Sequence, residues 1–268
     1  MDLDEGHIEG GDFRRYPQKK EIRESVYRFE RILKDDIFSV NVLYKNEKEN
    51  RYVLKLSDFR FLGGYLLRPL AAWMSRHEHR VYKCVDRLEG VPRLGPREGA
   101  RGYWHEYVEG KTLHELEQDA PPKLPRDFFE RLLAILQSFH ERHVVHIDTN
   151  KRGNILVQPD GSPCVLDYQV SLHLPARRGS LGALNTWLFT KLVTEDVYHV
   201  FKHKRDFLPD CMTDEERSMA TRSHVGFTWL RTFAKFYRVV KRKIYPKGSN
   251  ETIWYRWRKE KDKSGRMP

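Results

Sequence analysis

Two short apolar segments that are joined by a turn and bordered by oxygen-bearing side chains constrain this chain more than any other feature. Asn154 opens the first segment, residues 159–161 form the turn, and the second segment stops at Asp167. This pattern predicts a small β-hairpin whose open end presents an amide and a carboxylate. A further carboxylate, Asp148, lies in a polar loop just before the hairpin. The stretch therefore predicts a site for a metal-bound phosphate group.

A lysine lies inside the third of three strand-like segments. The segments cover residues 26–33, 37–44 and 52–56, and Lys55 belongs to the last of them. Their alternating side chains and the turn-forming residues between the second and third segments predict a hairpin. A lysine within an apolar strand is either an edge charge that extends into water or a cation that faces a phosphate in a cleft. The strand alone leaves both interpretations open.

A glutamate lies on the apolar face of the helix that is predicted over about residues 66–88. Helical spacing aligns Glu78 with Val81 and Val85. Most helical glutamates are solvated, but a carboxylate on a buried face needs a partner that offsets its desolvation. Lys55 on the preceding strand is the expected partner, so each of the two residues supports a functional interpretation of the other.

Two other candidate motifs are set aside. The tripeptide at 110–112 matches the end of a Walker A phosphate loop, but His105 stands where that motif needs a glycine, and G-x-G-x-x-G does not occur. His140, His143 and His146 follow one another at three-residue spacing, which would suit zinc if they shared a helix face. The carboxylate-rich surroundings favour magnesium over zinc.

In this order, the residues resemble the protein-kinase-like fold. A lysine on a third strand, a glutamate on the next helix, H-x-D followed by N-I-L, and D-Y-Q after a hairpin all occur within about residues 25–185. The chain is most similar to the divergent bacterial branch that includes the lipopolysaccharide (Kdo and heptose) kinases and related small Ser/Thr kinases. The resemblance implies an α+β fold with two lobes, a small β-rich one and a mostly helical large one.

The resemblance also implies a division of the chain into four segments. The first is a loosely ordered leader at 1–24, and the second is a small lobe of antiparallel sheet and one helix at 25–108, with the hinge at 106–108. A large lobe at 109–243 and a basic aromatic tail at 244–268 follow.

Roles for the residues near the hairpin follow from the resemblance. Asp148 is expected to be the catalytic base that orients the acceptor hydroxyl group and accepts its proton. Lys151 is expected to neutralise the transferring phosphoryl group. Asn154 and Asp167 are expected to hold Mg²⁺ on the phosphates of ATP.

The remaining roles belong to the small lobe and the hinge. Lys55 is expected to contact the α- and β-phosphates of ATP, braced by Glu78. The backbone between Glu106 and Val108 is expected to receive the adenine base.

Three departures from the family pattern bear on activity. The separation of six between Asp148 and Asn154 is one residue longer than the pattern, and Gly153 is expected to absorb the addition as a bulge. Residues 34–39, where a phosphate-covering loop belongs, contain no glycine. After Asp167 the chain has neither a long activation segment nor A-P-E. This last departure favours a glycan, lipid or small-molecule hydroxyl group over a protein as acceptor.

Positive charge is concentrated towards the C-terminal end. Residues 231–268 hold thirteen Lys/Arg and three Asp/Glu, which accounts for ten of the eleven net positive charges. A helical pattern at 227–243 is amphipathic and basic, and residues 254–259 interleave aromatic with basic side chains. The favoured interpretation of the helix is packing against the large lobe with a charged outer face, and the alternative is peripheral contact with an anionic membrane. The aromatic and basic segment suits a bilayer interface, a strap against the large lobe or a nucleic-acid backbone, of which nucleic acid is the least favoured partner.

Composition bounds the protein's class and environment. The chain has 268 residues, of which 39% are hydrophobic, so it can bury a sizeable core. No apolar run is long enough to span a membrane, and the polar, acidic first residues do not resemble a signal peptide. Three unclustered cysteines (Cys84, Cys164 and Cys211) predict reduced thiols. We expect a cytoplasmic protein with peripheral contact at the inner face of the membrane.

The function predicted from the sequence is Mg²⁺- and ATP-dependent transfer of the γ-phosphoryl group to a hydroxyl acceptor. An envelope glycan is the first choice of acceptor and a protein Ser/Thr the second. A hypothesis of another class is a pseudokinase that binds nucleotide or acts as a scaffold, which the glycine-free loop and the lengthened catalytic loop support. A third hypothesis is a basic, RNA-associated kinase-like protein.

Overall fold

The computed structural model describes residues 16–22, 24–35, 39–57, 67–117, 124–176 and 178–221. These residues form an α+β structure, as expected from the sequence. An antiparallel sheet comes first along the chain, and most of the helices follow it. The arrangement is compatible with two lobes.

A six-stranded antiparallel sheet forms the first half. Its strands are β1 (Lys19–Ile22), β2 (Ser25–Asp35), β3 (Ser39–Asn46), β4 (Arg51–Ser57), β5 (Leu94–Glu98) and β6 (Gly102–Glu106). They lie in the order β1-β2-β3-β4-β6-β5, so β4 is flanked on both sides. The three strands predicted from the sequence correspond to β2, β3 and β4. Lys55 lies in the interior of β4, opposite Asn41 on β3 and Tyr103 on β6.

The strand β1 differs from the expected leader. It pairs with β2 from Lys19 opposite Arg28 to Ile22 opposite Ser25. Its charged, four-residue sequence carries almost no strand signal of its own, but the pairing buries Ile22 in the core of the sheet. The prediction of a loose leader is therefore wrong for these four residues, and residues 1–15 lie outside the described part of the chain.

Helix α1 (Arg68–Val85) connects the sheet to the rest of the molecule. The helix ends three residues before the predicted limit because Asp86 adopts an extended backbone conformation. The Asp86 side chain then accepts a hydrogen bond from Leu94 N at 2.9 Å. The buried face includes Glu78, Val81 and Val85, as predicted.

Short strands and four helices make up the second half. They are β7 (Lys111–Thr112), α2 (Leu113–Leu116), α3 (Phe128–Glu141), β8 (Val144–Val145), β9 (Ile155–Val157), β10 (Pro163–Val165), β11 (Leu172–His173), α4 (Ser180–Phe207) and α5 (Asp214–Thr221). Strands β9 and β10 pair antiparallel, which confirms the predicted hairpin. The predicted helix at 227–243 and the tail at 244–268 lie outside the described residues.

One apolar core joins the two halves. Val81, Tyr82 and Val85 of α1 belong to the same cluster of buried side chains as the inner face of α3 and the hairpin strands. The α3 side chains in this cluster include all five predicted from helical spacing (Phe128, Leu132, Ile135, Leu136 and Phe139) and one that was not predicted, Phe129. Burying an aliphatic or aromatic side chain of this size stabilises a fold by about 1.5–3 kcal/mol. The core therefore fixes the hairpin next to the sheet.

No helix within the described residues is both long enough and apolar enough to cross a lipid bilayer.

Candidate functional site

Three charged side chains meet where the sheet approaches the hairpin. Lys55 Nζ is 2.6 Å from Glu78 Oε1 and 2.8 Å from Asp167 Oδ1. The exposed fractions are 6% for the Lys55 side chain, 0% for Glu78 and 21% for Asp167. The expected contact between Lys55 and Glu78 is therefore present, and Asp167 joins it from the end of the hairpin.

The pKa values of the two carboxyl groups move in opposite directions. Burial raises the pKa of Glu78, and the opposing effect of Lys55 is smaller. Burial also disfavours the charged form of Asp167, but Lys55 and then Lys34 outweigh it, with a smaller contribution from Lys151, so that the pKa of Asp167 lies well below its usual range. Burial disfavours the Lys55 cation as well, yet Asp167 and Glu78 together raise its pKa above the ordinary value. At neutral pH, Lys55 is a cation and Asp167 an anion.

The loop before the hairpin gathers three more of the predicted residues. Asp148 Oδ2 accepts hydrogen bonds from Lys151 Nζ and, at 3.1 Å, from Asn154 Nδ2. Asn154 Nδ2 also lies 3.2 Å from the carbonyl oxygen of Asp148. Because Lys151 contributes to the lowered pKa of Asp167, this loop cluster and the Lys55 cluster belong to one electrostatic site.

The additional residue of the loop is accommodated by a turn of 3₁₀ helix over Arg152–Asn154. Lys151 N donates to Asp148 O at 3.1 Å, and Asn154 N donates to Lys151 O at 2.9 Å. Gly153 does not have a left-handed φ, and a Cβ atom there would meet no heavy atom within 4 Å. Gly153 therefore lies within a 3₁₀ turn, and neither its backbone conformation nor the space around it requires glycine.

Asn154 and Asp167 lie at the same open end of the hairpin. Leu166 N donates to Asn154 O at 2.8 Å, which extends the ladder of β9 and β10 towards Asp167. Asn154 uses its Nδ2 group on Asp148, and Asp167 uses Oδ1 on Lys55. No hydrogen bond from a described residue is directed to Asn154 Oδ1 or Asp167 Oδ2, so both oxygens are available.

These two oxygens fit a magnesium ion that also binds phosphate. Mg²⁺ prefers oxygen ligands and usually takes one or two carboxylates from the protein, with the remaining positions filled by phosphate oxygens and water. Within the described residues, no group of three or more His, Cys, Asp or Glu side chains is placed to hold a metal ion.

A buried aspartate that was not predicted holds the start of the loop. The carboxylate of Asp196, on α4, accepts from His146 N at 2.8 Å, Ile147 N at 2.9 Å and Thr149 Oγ1 at 3.1 Å. Ile147 has a φ of 68°, a left-handed conformation that β-branched residues rarely adopt. Such strain persists only where the surroundings fix the backbone. The two bonds from adjacent amides to one charged carboxylate provide that constraint.

The pKa of Asp196 agrees with this role. Burial acts to raise it, but the hydrogen bond from His140 and the proximity and backbone amide of His146 outweigh burial, so that the pKa is lowered. In the sequence, Asp196 is aligned with the buried residues Leu192, Val200 and His203 at helical spacing. A carboxylate on a buried helix face identified Glu78, and the same signal is present at Asp196, but the exposed apolar side chains of Leu184 and Trp187 obscure the buried face of α4 in the sequence.

The three histidines that were considered as zinc ligands have separate partners. His140 Nε2 is 3.3 Å from Asp196 Oδ2, and His146 Nε2 is 3.0 Å from the carbonyl oxygen of Leu166. The ring of His143 packs against Phe189 with a centroid distance of 5.4 Å. The three rings do not converge on one point.

The segment expected to receive a base lies at the end of β6. Glu106 N donates to Arg93 O at 2.9 Å, and Glu106 Oε2 accepts from Arg93 N at 3.2 Å, so the Glu106 carboxylate faces the start of β5. Glu106 and Val108 line a cavity of about 320 Å³ together with Gly90 and Gln158. The lining does not include Lys55, Asp148 or Asp167, so the cavity lies apart from the charged site. The carbonyl oxygen of Glu106 lies 2.9 Å from Nδ1 of the neighbouring His105.

No protein-family model matches the chain. No curated protein matches it either. The function proposed below therefore rests on the geometry of the site and on the resemblance in the sequence.

Proposed function

We propose that the protein is a Mg²⁺- and ATP-dependent phosphotransferase of the protein-kinase-like fold, which transfers the γ-phosphoryl group to a hydroxyl acceptor. The observation that supports this most is the contact of Lys55 with both Glu78 and Asp167. It places a lysine and an aspartate that are both charged at neutral pH against each other at the mouth of a hairpin. Phosphoryl transfer requires mainly positioning and positive charge around a metal-bound phosphate, and this site supplies both.

Lys55 binds the phosphates next to the carboxylate that it already contacts, and Glu78 orients it from the buried side. Asn154 Oδ1 and Asp167 Oδ2 hold the magnesium ion, which neutralises charge on the phosphates when it is bound. Asp148 Oδ2 is occupied by Lys151 and Asn154. The other oxygen, Oδ1, is therefore the atom that orients the acceptor hydroxyl group and accepts its proton.

Lys151 supplies the mobile charge of the site. Its side chain is 63% exposed, and it contacts Asp148 from the solvent side. A long, exposed ammonium group can exchange a carboxylate for a phosphoryl group at little cost, because it is already hydrated and loses few packed contacts. This position supports a role in neutralising the phosphoryl group during transfer.

The short connection between the hairpin and α4 bears on the acceptor. Only residues 168–179 separate Asp167 from the first residue of α4, and they include β11, which pairs with β8. Little chain is left there to bind an extended peptide. A glycan of the cell envelope is therefore our leading acceptor, and a protein Ser/Thr is the second.

Transfer of label from γ-labelled ATP into protein, lipid and polysaccharide fractions tests the proposal. Asp148→Asn is expected to lower transfer by about 10²–10⁴-fold, the usual contribution of a general base, while binding of Mg-ATP is retained. Asp210→Asn is the matched control, because it removes an exposed carboxylate outside the site.

Two results would contradict the proposal. Unchanged transfer by Asp148→Asn would remove Asp148 from the mechanism. The absence of any Mg²⁺-dependent transfer or ATP hydrolysis by the wild-type protein would favour a pseudokinase that acts as a scaffold.

A further inference from the structure

Three polar side chains lie in a row across β2, β3 and β4, next to the charged site. Lys34 on β2 is directly opposite Asn41 on β3, and Asn41 is directly opposite Lys55 on β4. Residues that are directly opposite in an antiparallel pair project from the same face of the sheet. Lys55 reaches Asp167 at the end of the hairpin, so Lys34 and Asn41 project from the face that is turned towards the hairpin.

The acidic residue beside Lys34 projects from the other face. Asp35 is directly opposite Val40, and Val40 belongs to the apolar cluster on the far side of the sheet. The alternation of side chains along a strand therefore separates the Asp35 carboxylate from the Lys34 ammonium group. On the face that adjoins the hairpin, this end of β2 contributes a cation and not the neighbouring anion.

Two polar groups of the row are unpartnered within the described part of the chain. Asn41 Oδ1 is buried, and no described residue donates a hydrogen bond to it. Lys34 is exposed, and no described carboxylate is close enough to form an ion pair with it. Buried polar atoms in native proteins nearly always have a partner, so the Asn41 oxygen marks a donor that is still to arrive. Lys34 can supply that donor, because the Cβ atoms of directly opposite residues are only about 4.5–5.5 Å apart.

Lys34 also acts on the hairpin side of the site. Burial disfavours the charged form of Asp167, but Lys55, then Lys34 and to a smaller extent Lys151 lower its pKa. Electrostatic effects weaken with distance, so the Lys34 ammonium group lies within range of the carboxylate that we propose as a ligand of Mg²⁺. Phosphate groups that the same metal ion holds come within its reach.

We infer that Lys34 and Asn41 form a phosphate-binding pair on the sheet side of the proposed nucleotide site. The Lys34 ammonium group donates to oxygens of the terminal phosphates, while Asn41 Oδ1 accepts one of its three N–H groups and so fixes its position. Lys55 is expected to contact the α- and β-phosphates, so a cation two strands away, near Asp167, meets the phosphates farther from the nucleoside. This inference rests on the proposed function and adds to it two residues that bind and position the phosphates.

The pair also accounts for the composition of the segment in which it lies. The family pattern covers the phosphates with backbone amides of a glycine-containing loop, but residues 34–39 contain no glycine. Glycine is needed where the backbone itself approaches a ligand closely. A lysine binds phosphate as a point charge at the end of a long side chain, so it does not require that approach.

Calorimetric titration of the full-length protein with Mg-ATP and with AMP tests the inference. Lys34→Met removes the charge of an exposed side chain and is expected to weaken binding of Mg-ATP by about 10–100-fold, the usual contribution of a hydrogen bond to a charged group. Binding of AMP, which lacks the terminal phosphates, is expected to stay unchanged. Lys34→Arg keeps the charge and the donors and is expected to recover most of the affinity. Lys48→Met is the matched control, because this exposed lysine lies in the turn at the other end of β3.

A double-mutant cycle tests the role of Asn41. Asn41→Leu removes the acceptor with little change in size and is expected to weaken binding of Mg-ATP by about 3–10-fold in the wild-type background. In the Lys34→Met background the same substitution should have no effect, because the donor that Asn41 positions is gone. An equal effect in both backgrounds would show that the two residues do not act as a pair.

Chemical acetylation of the wild-type protein, read out by mass spectrometry, avoids substitutions altogether. Mg-ATP should protect Lys34 from acetylation relative to Lys48, and AMP should not. Wild-type affinity of Lys34→Met for Mg-ATP, equal losses for Mg-ATP and AMP, or the absence of protection would overturn the inference and leave the proposed function standing. Failure of the wild type to bind Mg-ATP would overturn both.

Discussion

At the scale of single residues, the site is a balance of charges around one buried ammonium group. Lys55 contacts two carboxylates, yet the pKa of Asp167 is lowered and that of Glu78 is raised. The difference arises because Asp167 also lies near Lys34 and Lys151, whereas Glu78 is fully buried and has Lys55 as its principal charged partner. Asp167 is therefore the carboxylate that remains charged over the widest range of pH.

The lowered pKa of Asp167 has a defined effect on stability. The native state holds fewer protons than the unfolded state, whose aspartates titrate near about pH 3.9. The stabilisation from Asp167 is therefore complete above that pH and is lost as the pH falls towards the folded-state pKa. The raised pKa of Lys55 acts at the alkaline end, where its contribution is lost only above about pH 10.4.

Asp167→Asn tests this assignment. We expect the substitution to lower the free energy of unfolding at neutral pH by about 1–3 kcal/mol, because it removes a hydrogen bond between charged groups. The difference from the wild type should shrink below about pH 4, because the unfolded wild-type chain then takes up a proton on Asp167 that the native state does not bind. Urea unfolding from neutral pH down to about pH 3 measures both quantities. A difference that stays constant over this range would show that Asp167 is not charged in the native state, and Asp210→Asn provides the control.

Residue-scale prediction from the sequence succeeded where a charge interrupts a regular apolar pattern. Lys55 and Glu78 stood out for this reason. Asp196 did not, because α4 has exposed apolar residues such as Leu184 and Trp187 that obscure its buried face. Two of the main partners of Asp196 are backbone amides, which every non-proline residue possesses, so sequence cannot reveal them.

At the scale of elements, the loop that precedes the hairpin, residues 146–154, is attached to α4 along its length. Besides the bonds to Asp196, His203 Nε2 lies 2.9 Å from Thr149 O, and Lys202 Nζ donates to Asn150 Oδ1 at 2.7 Å. Arg152 at the 3₁₀ turn contacts Asp206 at 2.5 Å on the next turn of the helix. The helix therefore acts as a rigid template for a loop that has no regular structure of its own before the 3₁₀ turn.

Asp196→Asn should detach the loop from this template. An amide has one acceptor oxygen in place of a charged carboxylate, and its NH₂ group would face backbone donors. We expect a loss of about 3–5 kcal/mol in the free energy of unfolding, as for other buried charges that lose their partners. Chemical denaturation measures the loss.

Glu195→Gln is the neighbouring control on α4. Its carboxylate lies 4.0 Å from His199 Nε2, beyond hydrogen-bond distance, and we expect a change of no more than about 1 kcal/mol in the free energy of unfolding. Comparable losses in both variants would mean that Asp196 stabilises the helix rather than the loop.

Helices and strands could be predicted from the sequence where local patterns define them, but not where contacts with distant parts of the chain do. The helices α1 and α3 and the hairpin of β9 and β10 are recognisable because their periodicity or turn is local. Strand β1 and the two-residue strands β7, β8 and β11 were not predicted. Their short sequences carry no period, and they form because a distant partner satisfies their backbone groups.

At the scale of the whole molecule, charge is distributed unequally. The net charge of residues 1–230 is close to neutral, since residues 231–268 contain ten of the eleven net positive charges. A cluster of this kind is attracted to anionic surfaces over a Debye length of about 8 Å at physiological ionic strength. The expected contact with a membrane therefore depends on a part of the chain that is separate in sequence from the site.

Substituting three of these basic residues tests the contact. Arg256→Ala, Arg258→Ala and Lys259→Ala together are expected to weaken binding to phosphatidylserine-containing vesicles by roughly 100-fold, at about 1 kcal/mol for each charge near the surface. Vesicle co-sedimentation of the full chain measures this, with neutral vesicles as the control. Equal binding to both kinds of vesicle, or a preference for RNA over vesicles, would contradict a membrane role for the segment.

The shared apolar core has a consequence for motion. Val81, Tyr82 and Val85 of α1 are packed with α3 and the hairpin, and the ring centroids of Tyr82 and Tyr168 are only 4.5 Å apart. Tightly packed interiors do not deform continuously, so a wide separation of the sheet from the helical half would expose these side chains to water. A ligand of the proposed site would then enter and leave by displacement of the loops at the rim, while α1 and the hairpin keep their mutual position.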